Sequence, residues 1–333
     1  MWKLWGRKVT ANSIMERTIY LSTNVSCNLN CIYCYEDKSS KETFDLESTK
    51  QKLATALQEV TEEGTIIDLH GGEPFMVFPK IRELCEWLWA QNFPERFVLF
   101  ATSNGTLIHG EIKEWLEKHR RQFIVGLSLD GTREMQNINR TNSFDAIDID
   151  FIARTWPTQS VKMTISPKTL GMLADGIIFL HSKGFKKIAA NLAYMVDWSP
   201  KEYLSVYARE LRKLADFYLQ NPDLEKAAIF KAHFPSILDE KSYTRKWCGV
   251  GTNMCMYDID GRAYPCHLFF ESVCGKEKSE KAKFINFSDP EVYTSKHWCP
   301  VNFFYKGEKT GRISVRDSPP IVHFCISKTL CTS

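Results

Sequence analysis

The chain has 333 residues and a formal net charge of +3, so one large domain or two smaller ones are expected. Its lysines and arginines are interspersed with acids, and no basic patch with interleaved aromatics marks a nucleic-acid partner. There is no apolar run long enough to span a membrane and no apolar stretch of a signal peptide near the start, so a cytoplasmic protein is expected. In such a chain, eleven cysteines point to metal or cluster ligation rather than to disulfides.

In chain order, residues 1–17 read as a short leader. Residues 18–23 alternate and are β-branched, which predicts a first strand. Residues 47–60 place Leu53, Leu57 and Val60 at helical spacing, and Gly64 stops that helix. The pattern repeats, with strands predicted at 65–70, 96–103, 123–129, 161–165 and 187–192. Helices are predicted at 81–90, 111–119, 144–154, 173–182 and 201–219. Gly184 closes the helix before the last strand, and the final helix ends before Pro222. Six strands alternating with helices predict an α/β fold with a parallel sheet, either open and doubly wound or a partial barrel. In both, ligands gather at the carboxyl ends of the strands. The Gly-rich and polar punctuation falls there: a cysteine loop after strand one, His70-Gly-Gly-Glu-Pro74, Ser103-Asn-Gly105 and Ser128-Leu-Asp-Gly131. Near residues 225–235 the alternation stops and Cys, Gly, Tyr and Pro become frequent. A boundary is therefore expected between a body at 18–228 and a cysteine-rich region at 229–333.

The cysteine loop has the form C-x3-C-x2-C, with Cys27, Cys31 and Cys34. Three thiolates on one loop suit a 4Fe–4S cluster that keeps one iron open to a ligand. A zinc knuckle is the alternative, although zinc spacing usually pairs C-x2-C with a second Cys or His pair, and none follows nearby. Cys85 lies in a helical apolar run and is expected in the core.

Tyr33 directly before the last cysteine, and Gly71-Gly-Glu-Pro74 about forty residues further on, complete a pattern that resembles the radical SAM superfamily. The resemblance covers roughly residues 18–220 and continues into the C-terminal region. It implies a partial (βα)6 TIM-like barrel and a 4Fe–4S cluster on Cys27, Cys31 and Cys34. It further implies S-adenosyl-L-methionine, cleaved reductively to a 5′-deoxyadenosyl radical. Gly71 and Gly72 let the backbone approach closely. By the same resemblance Glu73 accepts from the cofactor's ammonium, with Pro74 and Ser103 beside it, and Tyr33 flanks the adenine. Ser128 and Asp130 face the ribose and substrate, and Arg140 meets the cofactor carboxylate. Asn104 and Thr164 are weaker candidates for the same cavity. Asp68, His70 and Tyr35 lie near it without an assigned role.

Further on, Cys248, Gly261 and Cys266 form C-x12-G-x4-C, with Asp258-Ile-Asp-Gly261 as a hairpin signal. This resembles the opening of a SPASM or Twitch extension, which implies a smaller C-terminal domain with one auxiliary Fe–S cluster. Its expected ligands are Cys248, Cys266, Cys325 and Cys331, with Cys299 next. Zinc in the same pocket is the other reading. Cys255 falls inside the hairpin, and His267 stands beside Cys266.

The function the resemblance implies is a maturase that abstracts hydrogen from a peptide or protein side chain and installs a crosslink or an oxidation. The anaerobic sulfatase maturases and other peptide-modifying members are of this kind. A small-molecule radical dehydrogenase or rearrangement enzyme is the alternative, and a non-enzymatic Fe–S or zinc scaffold is a third. Expected partners are the peptide or protein substrate, an electron donor such as flavodoxin or ferredoxin, and a separate leader-recognition protein. Some seventeen residues precede the first strand, too few for a fused winged-helix recognition domain, so peptide capture is expected through that separate protein, the C-terminal region or direct docking along the barrel mouth.

Overall fold

The computed structural model describes residues 17–230, 254–264, 266–277 and 279. The expectations for Cys248, Cys299, Cys325, Cys331 and the leader before Arg17 lie outside the described residues.

Parallel β/α alternation is present as expected. β1 (Arg17–Asn24), β2 (Thr65–Gly71), β3 (Phe97–Ser103) and β4 (Phe123–Leu127) alternate with α1 (Leu46–Ala56), α2 (Phe78–Ala90) and α3 (Gly110–His119). After β4 come α4 (Arg133–Asn139), α5 (Ile149–Thr155), β5 (Val161–Ile165), α6 (Leu173–Ser182), β6 (Ile188–Leu192) and α7 (Glu202–Gln220). The main sheet has the order β4-β3-β2-β1 and then continues, while β5 and β6 form a parallel pair. Beyond the end of β4, a single parallel bridge joins Ser128 to Lys162 of β5. The Leu129 amide donates to the Lys162 carbonyl at 2.9 Å. Six strands are thereby neighbours in chain order, and their carboxyl ends open on one side.

Helix expectations hold except in one region and at the end of α1, which stops at Ala56 instead of running to residue 60. The segment 144–154, read as one helix, splits into a 3-10 turn at Phe144–Ala146 and α5. Asp148 causes the break, because its carboxylate accepts from the Phe151 amide and caps a new start. The seven-residue α4 has no counterpart in the predicted elements. It is too short to show periodicity, and it starts where Thr132 accepts from the Met135 amide.

The hairpin expected around Asp258–Gly261 is present as β7 (Met254–Tyr257) and β8 (Ala263–Tyr264), followed by α8 (Glu271–Cys274). Gly261 sits at φ +76°, in the left-handed region that favours glycine. The sequence does not foretell that β7 pairs in parallel with β1, Thr18 opposite Met254 and Leu21 opposite Tyr257. The start of the cysteine-rich region therefore shares the main sheet.

The two faces of the sheet differ. Ile19, Leu21, Ile67, Leu69, Leu99 and Ala101 pack in the large core together with helical residues such as Leu53, Ile81 and Leu84. The intervening positions point the other way, and there Tyr20, Asp68 and Phe100 stand in register across β1, β2 and β3. A second cluster, with Met256, Tyr264, Leu268, Phe269 and Phe270, packs against Tyr20. Among the described residues no helix is long and apolar enough to cross a membrane.

Candidate active site at the carboxyl ends of the strands

The cysteine loop leaves β1 and is held against the loop after β2 by backbone contact. The Gly72 amide donates to the Asn24 carbonyl at 2.9 Å, and the Glu73 amide to the Ser26 carbonyl at 3.0 Å. A Cβ on Gly71 would lie 2.5 Å from the Asn24 carbonyl oxygen, and one on Gly72 2.5 Å from that of Val25. Only glycine permits this approach. Asn24, which the sequence did not single out, ties the junction. Its side-chain amide donates to the carbonyls of Ser26 at 2.7 Å and Glu73 at 3.2 Å. The visible signal was a polar residue ending an apolar strand just before the cysteines.

Glu73 is buried at the same junction, and Pro74 beside it opens a 3-10 turn. Its carboxylate accepts from the Phe75 amide at 3.2 Å, the Ser103 hydroxyl at 2.8 Å and the Asn104 amide at 2.8 Å. Glu73 thus fastens the β2 loop to the β3 loop. Burial pushes its pKa up to about 7, while these donors pull it back. The Asn104 side chain then reaches the cysteine loop, donating to Asn28 Oδ1 at 2.9 Å and lying 3.9 Å from Cys27 Sγ.

Asp130 organises the opposite rim. It is fully buried. Its Oδ2 accepts from the Tyr33 hydroxyl at 2.6 Å and Asn139 Nδ2 at 3.1 Å, and its Oδ1 from the Thr164 amide at 2.9 Å. Arg140 Nε stands 3.0 Å from Oδ1. The angle there is too poor for a hydrogen bond, so this contact is an ion pair. Asp130 accordingly offers no exposed oxygen to a ribose and instead joins the cysteine loop, β5 and α4. Tyr33 is held by its hydroxyl, and the Arg140 guanidinium lies 5.5 Å from the centre of its ring. Gln136 and Asn139 of α4 complete the rim, and the sequence analysis missed both. The Asp130 amide donates to Gln136 Oε1 at 2.8 Å, and Asn139 Oδ1 accepts from the Ser166 hydroxyl at 2.7 Å. The Asn139 carbonyl also accepts from the Ile32 amide of the cysteine loop at 3.0 Å. Ser128 is buried between the two rims, its amide donating to the Ser103 carbonyl.

Cys27 and Cys31 are half-buried and Cys34 is exposed. Burial pushes the Cys27 and Cys31 thiols up. Lys38 pulls both the other way, and Arg140 does so at Cys31. Among the described residues no three His, Cys, Asp or Glu side chains converge on one point as a single-ion site requires. An iron–sulfur cluster takes each thiolate on a different iron, so its cysteines need not converge. Arg140 is buried with its charge strengthened by Asp130, and its terminal nitrogens make no hydrogen bond within the described residues.

The described part of the C-terminal region reaches this rim. The Tyr35 hydroxyl and His267 Nε2 are 3.0 Å apart, and the His267 ring lies 5.9 Å from those of both Tyr20 and His70. The Asp37 amide donates to the Ser272 carbonyl at 2.7 Å. Cys266 is buried beside His267, and Cys85 is buried in α2 as expected for a core residue.

Residues 21–148 match the Radical SAM superfamily. Over 259 residues the chain is 27% identical to the antilisterial bacteriocin subtilosin biosynthesis protein AlbA of Bacillus subtilis, covering 73% of this chain but only 53% of that protein. Over 277 residues it is 24% identical to the cysteine-type anaerobic sulfatase-maturating enzyme of Clostridium perfringens, covering 73% and 72%. Among solved structures, native anSMEcpe with bound AdoMet superimposes with a TM-score of 0.61 at 20% identity, over 81% of each chain. Streptococcus suis SuiB bound to the precursor peptide SuiA gives 0.60 at 14%, over 91% of this chain and 69% of that one. These two share the fold, including the partial barrel expected from the sequence. The matched residues 21–148 are a radical SAM domain, and that family works with a 4Fe–4S cluster and S-adenosyl-L-methionine.

Proposed function

We propose that this enzyme modifies a side chain of a peptide or protein, installing a crosslink or an oxidation. The observation that carries this reading is the rim itself. Three cysteines and one buried arginine with free donors are brought together in a chain similar to AlbA and to a sulfatase-maturating enzyme. The binding of SuiB to a precursor peptide in the same fold supports it.

Cys27, Cys31 and Cys34 would hold the cluster. The terminal nitrogens of Arg140 fit a carboxylate, since a planar cation with unused donors in a buried setting pairs well with one. Gly71, Gly72, Glu73 and Pro74 hold the loop after β2 against the cysteine loop. Ser103 and Asn104 keep Glu73 in place, and Tyr33 and Asp130 fix the position of Arg140. When bound, the cluster and S-adenosyl-L-methionine supply one-electron cleavage and hydrogen-atom abstraction, while the chain supplies position and exclusion of water. The reductant would come from a small electron-transfer protein of the flavodoxin or ferredoxin class.

The test is anaerobic reconstitution with iron and sulfide, reduction with dithionite, and measurement of 5′-deoxyadenosine. Peptides encoded beside the gene are then added and weighed by mass spectrometry. Loss of two hydrogens from such a peptide is the expected result. An iron-loaded protein that makes no 5′-deoxyadenosine overturns the reading. Turnover of a sugar or cofactor precursor with no change in any peptide moves the enzyme to small-molecule chemistry.

A further inference from the structure

On the face of the sheet turned away from the helices, two half-buried charged side chains take no part in the rim. Asp68 of β2 lies in register between Tyr20 and Phe100. Its Oδ1 is buried and has no hydrogen-bond partner among the described residues. Lys162 of β5 approaches the same place, with Nζ 5.8 Å from the centre of the Phe100 ring. It does not pair with Asp68 but donates to Thr102 Oγ1 at 2.9 Å. An ammonium has three donors, so two remain unused. Burial pushes Asp68 up to about 6 and Lys162 down, and each pulls the other back, so the two charges sense one another without touching. His70 stands two residues nearer the mouth on the same face, its ring 4.6 Å from that of Tyr20.

A buried acceptor without a donor costs about 1–3 kcal/mol, and such a group in a native fold calls for a partner. A lone anion or cation is a poor one, because it would satisfy one charge and confront the other. A trans amide satisfies both by lying between them, because its N–H and its carbonyl point in opposite directions. We propose that Asp68 and Lys162 form a subsite for one amide group of the substrate, Asp68 accepting from its N–H and Lys162 donating to its carbonyl. This rests on the peptide reading above and adds the group that enters the barrel.

N-methylacetamide and methyl acetate are the probes, since the ester lacks only the N–H. Their binding to the iron-loaded full chain is measured by ligand-detected NMR without S-adenosyl-L-methionine or reductant. The wild type is expected to prefer the amide about tenfold, the lower end of what a hydrogen bond to a charged group contributes. Asp68→Ala brings the two probes within about twofold. Asp68→Asn, which keeps the shape if the alanine variant fails to fold, retains only part of the preference. Lys162→Met weakens both probes alike. Equal binding of the two probes by the wild type, binding of neither, or an amide preference that survives in both Asp68 variants overturns the subsite. Failure of the wild type to form 5′-deoxyadenosine is a separate result, which sinks the radical reading and leaves this measurement standing.

Discussion

Two aspartates, Asp130 fully buried and Asp68 half-buried, have opposite surroundings. Asp130 accepts from Tyr33, Asn139 and the Thr164 amide and pairs with Arg140. Asp68 has a buried oxygen with no partner among the described residues. A carboxylate filled by the chain's own donors builds the site. One left open inside the fold awaits something from outside. The rim that Asp130 organises is framework for the cysteine loop, while the inner face near Asp68 is where selectivity can reside.

The largest effect expected on the rim comes from Cys27, Cys31 and Cys34. Their triple replacement by alanine should abolish 5′-deoxyadenosine formation and remove about four irons per chain, one cluster's worth, as counted by iron and sulfide analysis. Iron that stays at the wild-type level would place the cluster elsewhere. Next is Asp130→Asn, which leaves the buried Arg140 charge without its partner. A cost of about 4 kcal/mol in denaturant unfolding is expected, and a loss under 1 kcal/mol would show that Asp130 is not the hub. Gly72→Ala forces a Cβ against the Val25 and Ser26 carbonyls. It should destabilise by about 3 kcal/mol, the upper end for overpacking, because backbone rather than a flexible side chain must move.

The smallest effect sharpens the other side of the comparison. Burial raises the Asp68 pKa from 3.8 to about 6, so the folded protein binds that proton more tightly than the unfolded chain does. This contribution is fully present below pH 3.8 and is lost as the pH rises through about 6. Asp68→Asn should flatten the fall of stability across that window, read from unfolding curves at a series of pH values. An unchanged slope would mean that Asp68 is better solvated than its surroundings imply.

Much of the site could be read from residues close together in the chain. The cysteine spacing, the Gly71–Pro74 loop and the hairpin turn at Gly261 are local features, and each stands where a strand or turn ends, as expected. Glu73 and Tyr33 were identifiable as site residues, but their contacts were not, since Ser103, Asn104 and Asp130 reach them across 30 to 97 positions. Asn24, Gln136 and Asn139 escaped because a lone polar residue beside an apolar run resembles a surface residue. Their burial follows only from what packs over them. α4 escaped for a related reason, its seven residues being too few for a helical period to show.

The sequence by itself determined the alternation of strands and helices, the cysteine loop after the first strand and the glycines after the second. Periodicity and backbone freedom are properties of neighbours in the chain. Tertiary structure alone decided that β7 joins β1, that the Tyr33 hydroxyl donates to Asp130, and that Lys162 donates to Thr102 and leaves Asp68 Oδ1 without a donor among the described residues. Those outcomes depend on which buried donors meet which acceptors across strands far apart in sequence, and spacing along one chain carries no record of that competition.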